Sequence, residues 1–145
     1  MVEINNLTDF PIDKRFLKKV AQEILKNESK ENSSLSVAFV KAEEIKKLNN
    51  KYLKKNKSTD VLSFSHNIDF LKETKNFKDG LGEIVICPSV VEKNAKQFSV
   101  SVKRELSKTL IHGILHLLGY EHEKGEKRAR EMEKKENYYL SLIFK

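Results

Sequence analysis

His112, His116 and His122 stand at positions i, i+4 and i+10 in a chain of 145 residues that holds four histidines in all. Imidazoles so spaced can meet at one divalent ion. The apolar residues Val102, Leu106, Leu110, Ile111, Ile114, Leu115 and Leu118 recur at helical spacing through this stretch, which predicts a helix with His112 and His116 one turn apart on the same face. Gly119 is expected to end that helix in a left-handed conformation, turning Tyr120 to His122 back toward the first two rings. Three histidine ligands leave the fourth tetrahedral position of a zinc ion open, as in catalytic rather than structural sites. Water bound there loses a proton near neutral pH and becomes a nucleophile, while the ion polarises a carbonyl or phosphoryl oxygen. The chemistry implied is therefore hydrolysis. Imidazole suits zinc first, at one ion per chain, with nickel, copper or iron open on ligand type alone.

The motif also lacks something. In His-Glu-x-x-His peptidases the residue after the first histidine is the glutamate that deprotonates the metal's water, and here that position is Gly113. Glu121 and Glu123 flank the third histidine and are candidates to orient a ligand. His66 reads as a loop residue rather than a fourth ligand, because the remaining position must stay open. Thr59 and Ser63 could bond a phosphate or simply satisfy their own strand, and Cys87 reads as a small buried apolar residue.

The elements that must position these groups can be read from periodicity. Phe16, Leu17, Val20, Ala21, Ile24 and Leu25 mark an amphipathic helix over residues 12–27, followed by a polar loop. Leu35, Val37 and Phe39 alternate as a strand running through Val40, and Ala42 to Asn50 reads as a short helix with Ile45 and Leu48 inward. Asp60 to Ser65 and Leu81 to Ile86 are further strands, separated by a polar, insertion-like segment from His66 to Gly80. Pro88 opens a helix that ends before Ser101, with Val90, Val91, Ala95 and Phe98 as its inner face. Glu126 to Ile143 is a last helix with Ala129, Met132, Tyr139 and Leu140 available to pack. Strands and helices alternate early and helices dominate late, which favours an α+β sandwich over a doubly wound parallel sheet.

The length fits one domain, and 39% hydrophobic residues suffice for one core. A single cysteine excludes an intrachain disulfide, no leader-like segment opens the chain at Met1 to Ile4, and no apolar run is long enough to span a bilayer. A soluble, cytoplasmic protein is expected. The 28 basic residues against 21 acidic ones give a net charge of +7, which favours a polyanionic partner. Lys46, Lys47, Lys51, Lys54, Lys55 and Lys57 concentrate that charge between Glu44 and Asp60, where it could track phosphates.

The segments His112-Gly113-x-Leu115-His116-Leu117-x-Gly119-Tyr120-x-His122, Ser58-Thr59-Asp60-Val61-Leu62-Ser63-Phe64 and Leu81-Gly82-Glu83-Ile84 together resemble the YbeY family of bacterial metallo-endoribonucleases. The resemblance runs from about Leu48 to Glu136. It implies an α+β fold, here a small mixed four-stranded sheet packed with helices, with the metal-bearing helix and the loop after it lining a cleft. It implies one zinc on His112, His116 and His122 in a single hydrolase domain over residues 1–145. It also implies cleavage of single-stranded RNA in 16S rRNA 3′-end maturation and 70S ribosome quality control, with ribosomal RNA, the ribosome and a ribosomal or GTPase protein as partners. The chain departs from the family pattern at Tyr52-Leu53, where Tyr-Arg is usual, so Lys54 or Lys55 is left to stabilise phosphate, without the bidentate fork of a guanidinium. Lys55-Asn56-Lys57-Ser58-Thr59-Asp60 lacks the family's acid and proline, and Glu121 replaces the usual aspartate before His122. Two other readings use the same histidines. One is a zinc peptidase or amidohydrolase with its base supplied from elsewhere, such as Glu121, and the other is a non-catalytic ribosome-associated RNA-binding protein with a structural zinc.

Overall fold

Leu35, Val37 and Phe39 alternate along the chain with Ala38 and Val40, and the two sets enter different cores. The computed structural model describes residues 1–65, 80–120 and 125–144. Its elements run β1 (Val2–Asn6), α1 (Lys14–Asn27), β2 (Ser34–Phe39), α2 (Ala42–Leu53), β3 (Val61–Phe64), β4 (Gly80–Ile86), α3 (Pro88–Gln97), α4 (Val102–Leu117) and α5 (Glu126–Ile143). The strands form one sheet in the order β1-β2-β4-β3, with β1, β2 and β4 parallel and β3 antiparallel to β4 at one edge. This is the expected α+β fold with its small mixed sheet.

The larger core lies between the sheet face bearing Leu35, Val37, Phe39, Ile84 and Ile86 and the apolar stripes of α1, α4 and α5. Leu110, Ile111, Ile114 and Leu115 of α4 are fully buried there, and burying each such side chain contributes roughly 1.5–3 kcal/mol. The opposite face carries Ala38, Val40, Leu62, Val85 and Cys87, and α2 covers it with Ile45 and Leu48. Cys87 is buried, as expected. α4 is the hub, touching α1, α3, α5, β3 and β4.

Local chemistry sets the helix ends. Asp13 caps α1 by accepting the Phe16 N–H at 3.1 Å, and Ser101 caps α4 by accepting the Arg104 N–H at 3.1 Å. Three expectations need correction. A strand absent from the sequence reading, β1, forms the other sheet edge; it is short, with only Val2 and Ile4 as apolar residues, and it is fixed by parallel pairing with β2 rather than by its own pattern. α2 runs past Asn50 to Leu53, where Lys54 stops it in the left-handed region at φ 59°. Phe98 lies beyond the end of α3 and is 56% exposed, with the Lys108 ammonium 5.7 Å from its ring centre, so it is not part of an inner face. His66 and the insertion-like segment up to residue 79 lie outside the described residues, as do Glu121, His122 and Glu123.

Candidate active site

His112 and His116 lie in the last two turns of α4 and line a cleft of about 380 Å³ between that helix and the sheet edge. The opposite wall is built by Val61, Leu62 and Ser63 along β3 and Ser65 just past its end, with Leu53 from the end of α2 and Leu117 at the rim. The backbone brings these elements close because position 113 carries no side chain. A Cβ there would stand 3.1 Å from Ile84 Cγ2 and 3.3 Å from Ser63 Oγ. Ser63 Oγ instead donates to the Gly113 carbonyl at 3.1 Å, tying β3 to α4. The missing peptidase glutamate thus has a packing reason: its position faces the sheet.

The Nε2 atoms of the two histidines face each other at 3.0 Å. Two nitrogens bound tetrahedrally to zinc at their usual bond lengths would stand about 3.3 Å apart, so the pair fits an ion with a shift of a few tenths of an ångström. His112 Nδ1 donates to Glu136 Oε1 at 2.5 Å. A carboxylate on Nδ1 fixes the tautomer and leaves the Nε2 lone pair for a metal, the orienting partner that ligating histidines commonly have. Glu136 belongs to α5, and its side chain is 9% exposed against 28% for His112. Among the described residues no third ligating side chain completes a metal-holding set with the pair, and His122, the expected third ligand, lies outside them.

α4 ends as expected. Gly119 has φ 99°, its N–H bonds the His116 carbonyl at 3.1 Å, and the Tyr120 N–H bonds the Leu115 carbonyl at 3.0 Å. This is the paired capping pattern that a left-handed glycine permits. Lys54 and Lys55 follow Leu53 directly, are exposed, and stand outside the cleft lining. Thr59 donates to the Asp60 carboxylate at 3.3 Å, and Ser63 is engaged by Gly113, so both hydroxyls have partners within the protein. Sequence reasoning missed Glu136. Its signal was present, since Glu136 falls on the buried stripe of α5 with Met132, Tyr139 and Leu140.

Fold and site together define a class: small α+β proteins with a carboxylate-backed histidine pair on the central helix, beside a cleft at the sheet edge. Residues 3–143 match the sequence model of the family described as Endoribonuclease YbeY. Among similar proteins bearing that description, the one from Thermotoga petrophila is 38% identical over 128 residues, 88% of this chain and 79% of that protein. The one from Thermosipho melanesiensis is 35% identical over 139 residues, 95% and 94% of the two chains. The solution structure of TM1509 from Thermotoga maritima superposes with a TM-score of 0.68 at 33% identity, covering 99% of this chain and 89% of that one. The chain belongs to the YbeY endoribonuclease family.

Proposed function

We propose that this protein is a zinc-dependent endoribonuclease that cuts single-stranded RNA in the cytoplasm, acting in 16S rRNA 3′-end maturation and 70S ribosome quality control. Family membership supports the endoribonuclease role. The observation that carries the metal reading is the pair of Nε2 atoms at 3.0 Å with Glu136 behind His112. His112, His116 and His122 would hold the zinc, which when bound supplies a Lewis acid for the phosphodiester and an activated water near neutral pH. Glu136 holds the Nδ1 proton of His112 throughout, so that imidazole keeps one tautomer. The recessed position of the pair favours a flexible strand over a duplex backbone. The apolar wall of Leu53, Val61 and Leu117 offers a surface for a base, while the exposed lysines of α2 and the turn after it stand ready to meet phosphates. Attack by water or by the RNA's own 2′-hydroxyl is compatible with this arrangement. The peptidase reading still needs a base from outside position 113, where a side chain would crowd Ile84 and Ser63, and family membership supports RNA cleavage over it.

The test is cleavage of a single-stranded RNA by native, metal-stripped and zinc-restored protein, with bound metal counted by elemental analysis. Activity that leaves with the metal and returns with one zinc per chain is expected, and His116→Ala should abolish cleavage while the chain still folds. Full activity of the metal-free protein or of His116→Ala would overturn the reading. A protein that binds zinc and RNA but cuts nothing would favour the ribosome-associated binding protein instead.

A further inference from the structure

Glu28, the residue that closes α1, has a side chain only 10% exposed, and its carboxylate receives three donors from distant parts of the chain. The Tyr120 hydroxyl donates to Oε1 at 2.8 Å, Lys135 Nζ donates to Oε2 at 3.1 Å, and the Tyr139 hydroxyl also donates to Oε2. The Tyr139 ring is itself buried. One acid thus joins the end of α1, the exit of α4 and the middle of α5. Both α5 donors flank Glu136, which holds His112: Lys135 precedes it by one residue and Tyr139 follows one turn later. The α4 donor, Tyr120, comes straight after the capping glycine and two residues before His122 in the sequence. Charge-assisted bonds to a largely buried carboxylate are strong and directional, and three of them on one side chain leave α5 and Tyr120 little freedom to slide against α4.

We propose that Glu28 is a positioning residue for the histidine pair: by gripping Tyr120, Lys135 and Tyr139 together, it locks α5 against the exit of α4 and so holds Glu136 on His112. This rests on the metal-binding reading given above. Glu28 is not among the residues that line the histidine cleft. Its effect passes through Glu136; a contact made directly on a ligating histidine is typically worth about 10–100-fold in metal affinity, and Glu28, one step further out, is expected at the low end of that range.

Two single variants of the full chain, Glu28→Gln and Tyr120→Phe, test the proposal. Each is compared with the native protein for zinc affinity by competition with a chromophoric chelator, for the visible absorption of the cobalt-loaded form, and for thermal stability without metal. Glu28→Gln is expected to weaken zinc binding about tenfold or more and to alter the cobalt bands, which report ligand geometry. Tyr120→Phe, which removes one of the three bonds, should shift both readouts in the same direction by less. A Glu28→Gln protein that melts earlier yet matches the native zinc affinity and cobalt spectrum would overturn the proposal and leave the contact a purely structural one. If Glu28→Gln does not fold, Tyr120→Phe decides, and native affinity and spectrum there would likewise overturn it. A native protein that binds no zinc would instead overturn the metal reading, and this inference with it.

Discussion

Glu136 lies far along the chain from the histidine it holds, yet its 2.5 Å contact decides which nitrogen of His112 carries the proton. Replacing it with glutamine leaves a side chain of similar size that holds Nδ1 less strongly. Glu136→Gln is expected to lower zinc affinity about 10–100-fold with little change in fold, measured by competition titration and circular dichroism; unchanged affinity would remove Glu136 from the site. That His112 and His116 stand side by side was legible in the sequence, because residues four apart on a helix share a face. Glu136 was missed because its signal lies in the stripe of another helix and not in any spacing relative to the histidines. The acids nearest the motif, Glu121 and Glu123, drew attention by proximity along the chain, whereas the one on His112 is marked by sharing a buried face with Met132 and Tyr139.

At the scale of elements, α2 and α4 divide the labour. α4 carries the imidazoles and is pressed onto the sheet at Gly113, where any side chain would have to displace Ile84 or Ser63. α2 lies on the other face of the sheet and sends its last residue, Leu53, to the cleft, with Lys51 inside its final turn and Lys54 and Lys55 just beyond. If those two lysines meet phosphates, Lys54→Ala combined with Lys55→Ala should weaken RNA binding more at low salt than at high salt, reducing the salt slope by roughly one for each lost contact. Binding titrations across a salt series measure this, and an unchanged slope would take both residues out of the footprint. The helices and inner strands were readable from periodicity because each buries a long stripe or a clear alternation. β1 escaped because five residues with two apolar side chains carry too little pattern. The extra turn of α2 escaped because Lys54, not a glycine, takes the left-handed position that ends it.

The whole molecule is held not only by its two apolar cores but also by the Glu28 carboxylate, which spans from the first helix to the last. Burial pushes that carboxyl up, but the hydrogen bonds from Tyr139, Tyr120 and Lys135 outweigh burial and hold it below its ordinary value. A carboxyl lowered on folding stabilises the fold above its unfolded pKa, and that contribution disappears as pH falls through the folded value. Burial and the neighbouring carboxylate raise the Tyr139 phenol, and the bond to Glu28 raises Lys135 against the opposing effect of burial. Their contributions are present below their ordinary ranges and fade as pH rises beyond about 10. The stability gap between native protein and Glu28→Gln is therefore expected to be widest between about pH 5 and 9 and to narrow at both ends, as read by thermal melts across pH. A gap that stays constant into acid would mean the carboxylate's charge contributes nothing. No helix among the described residues is long and apolar enough to cross a membrane. The order of the elements also matters while the chain is being made. Strand β4 is complete at Ile86 and the imidazoles of His112 and His116 follow on α4, but Glu136 exists only once α5 has been synthesised. On the proposed function, an unfinished chain emerging from the ribosome carries the histidine pair without the acid that orients it, so full metal affinity at the centre arrives only with α5.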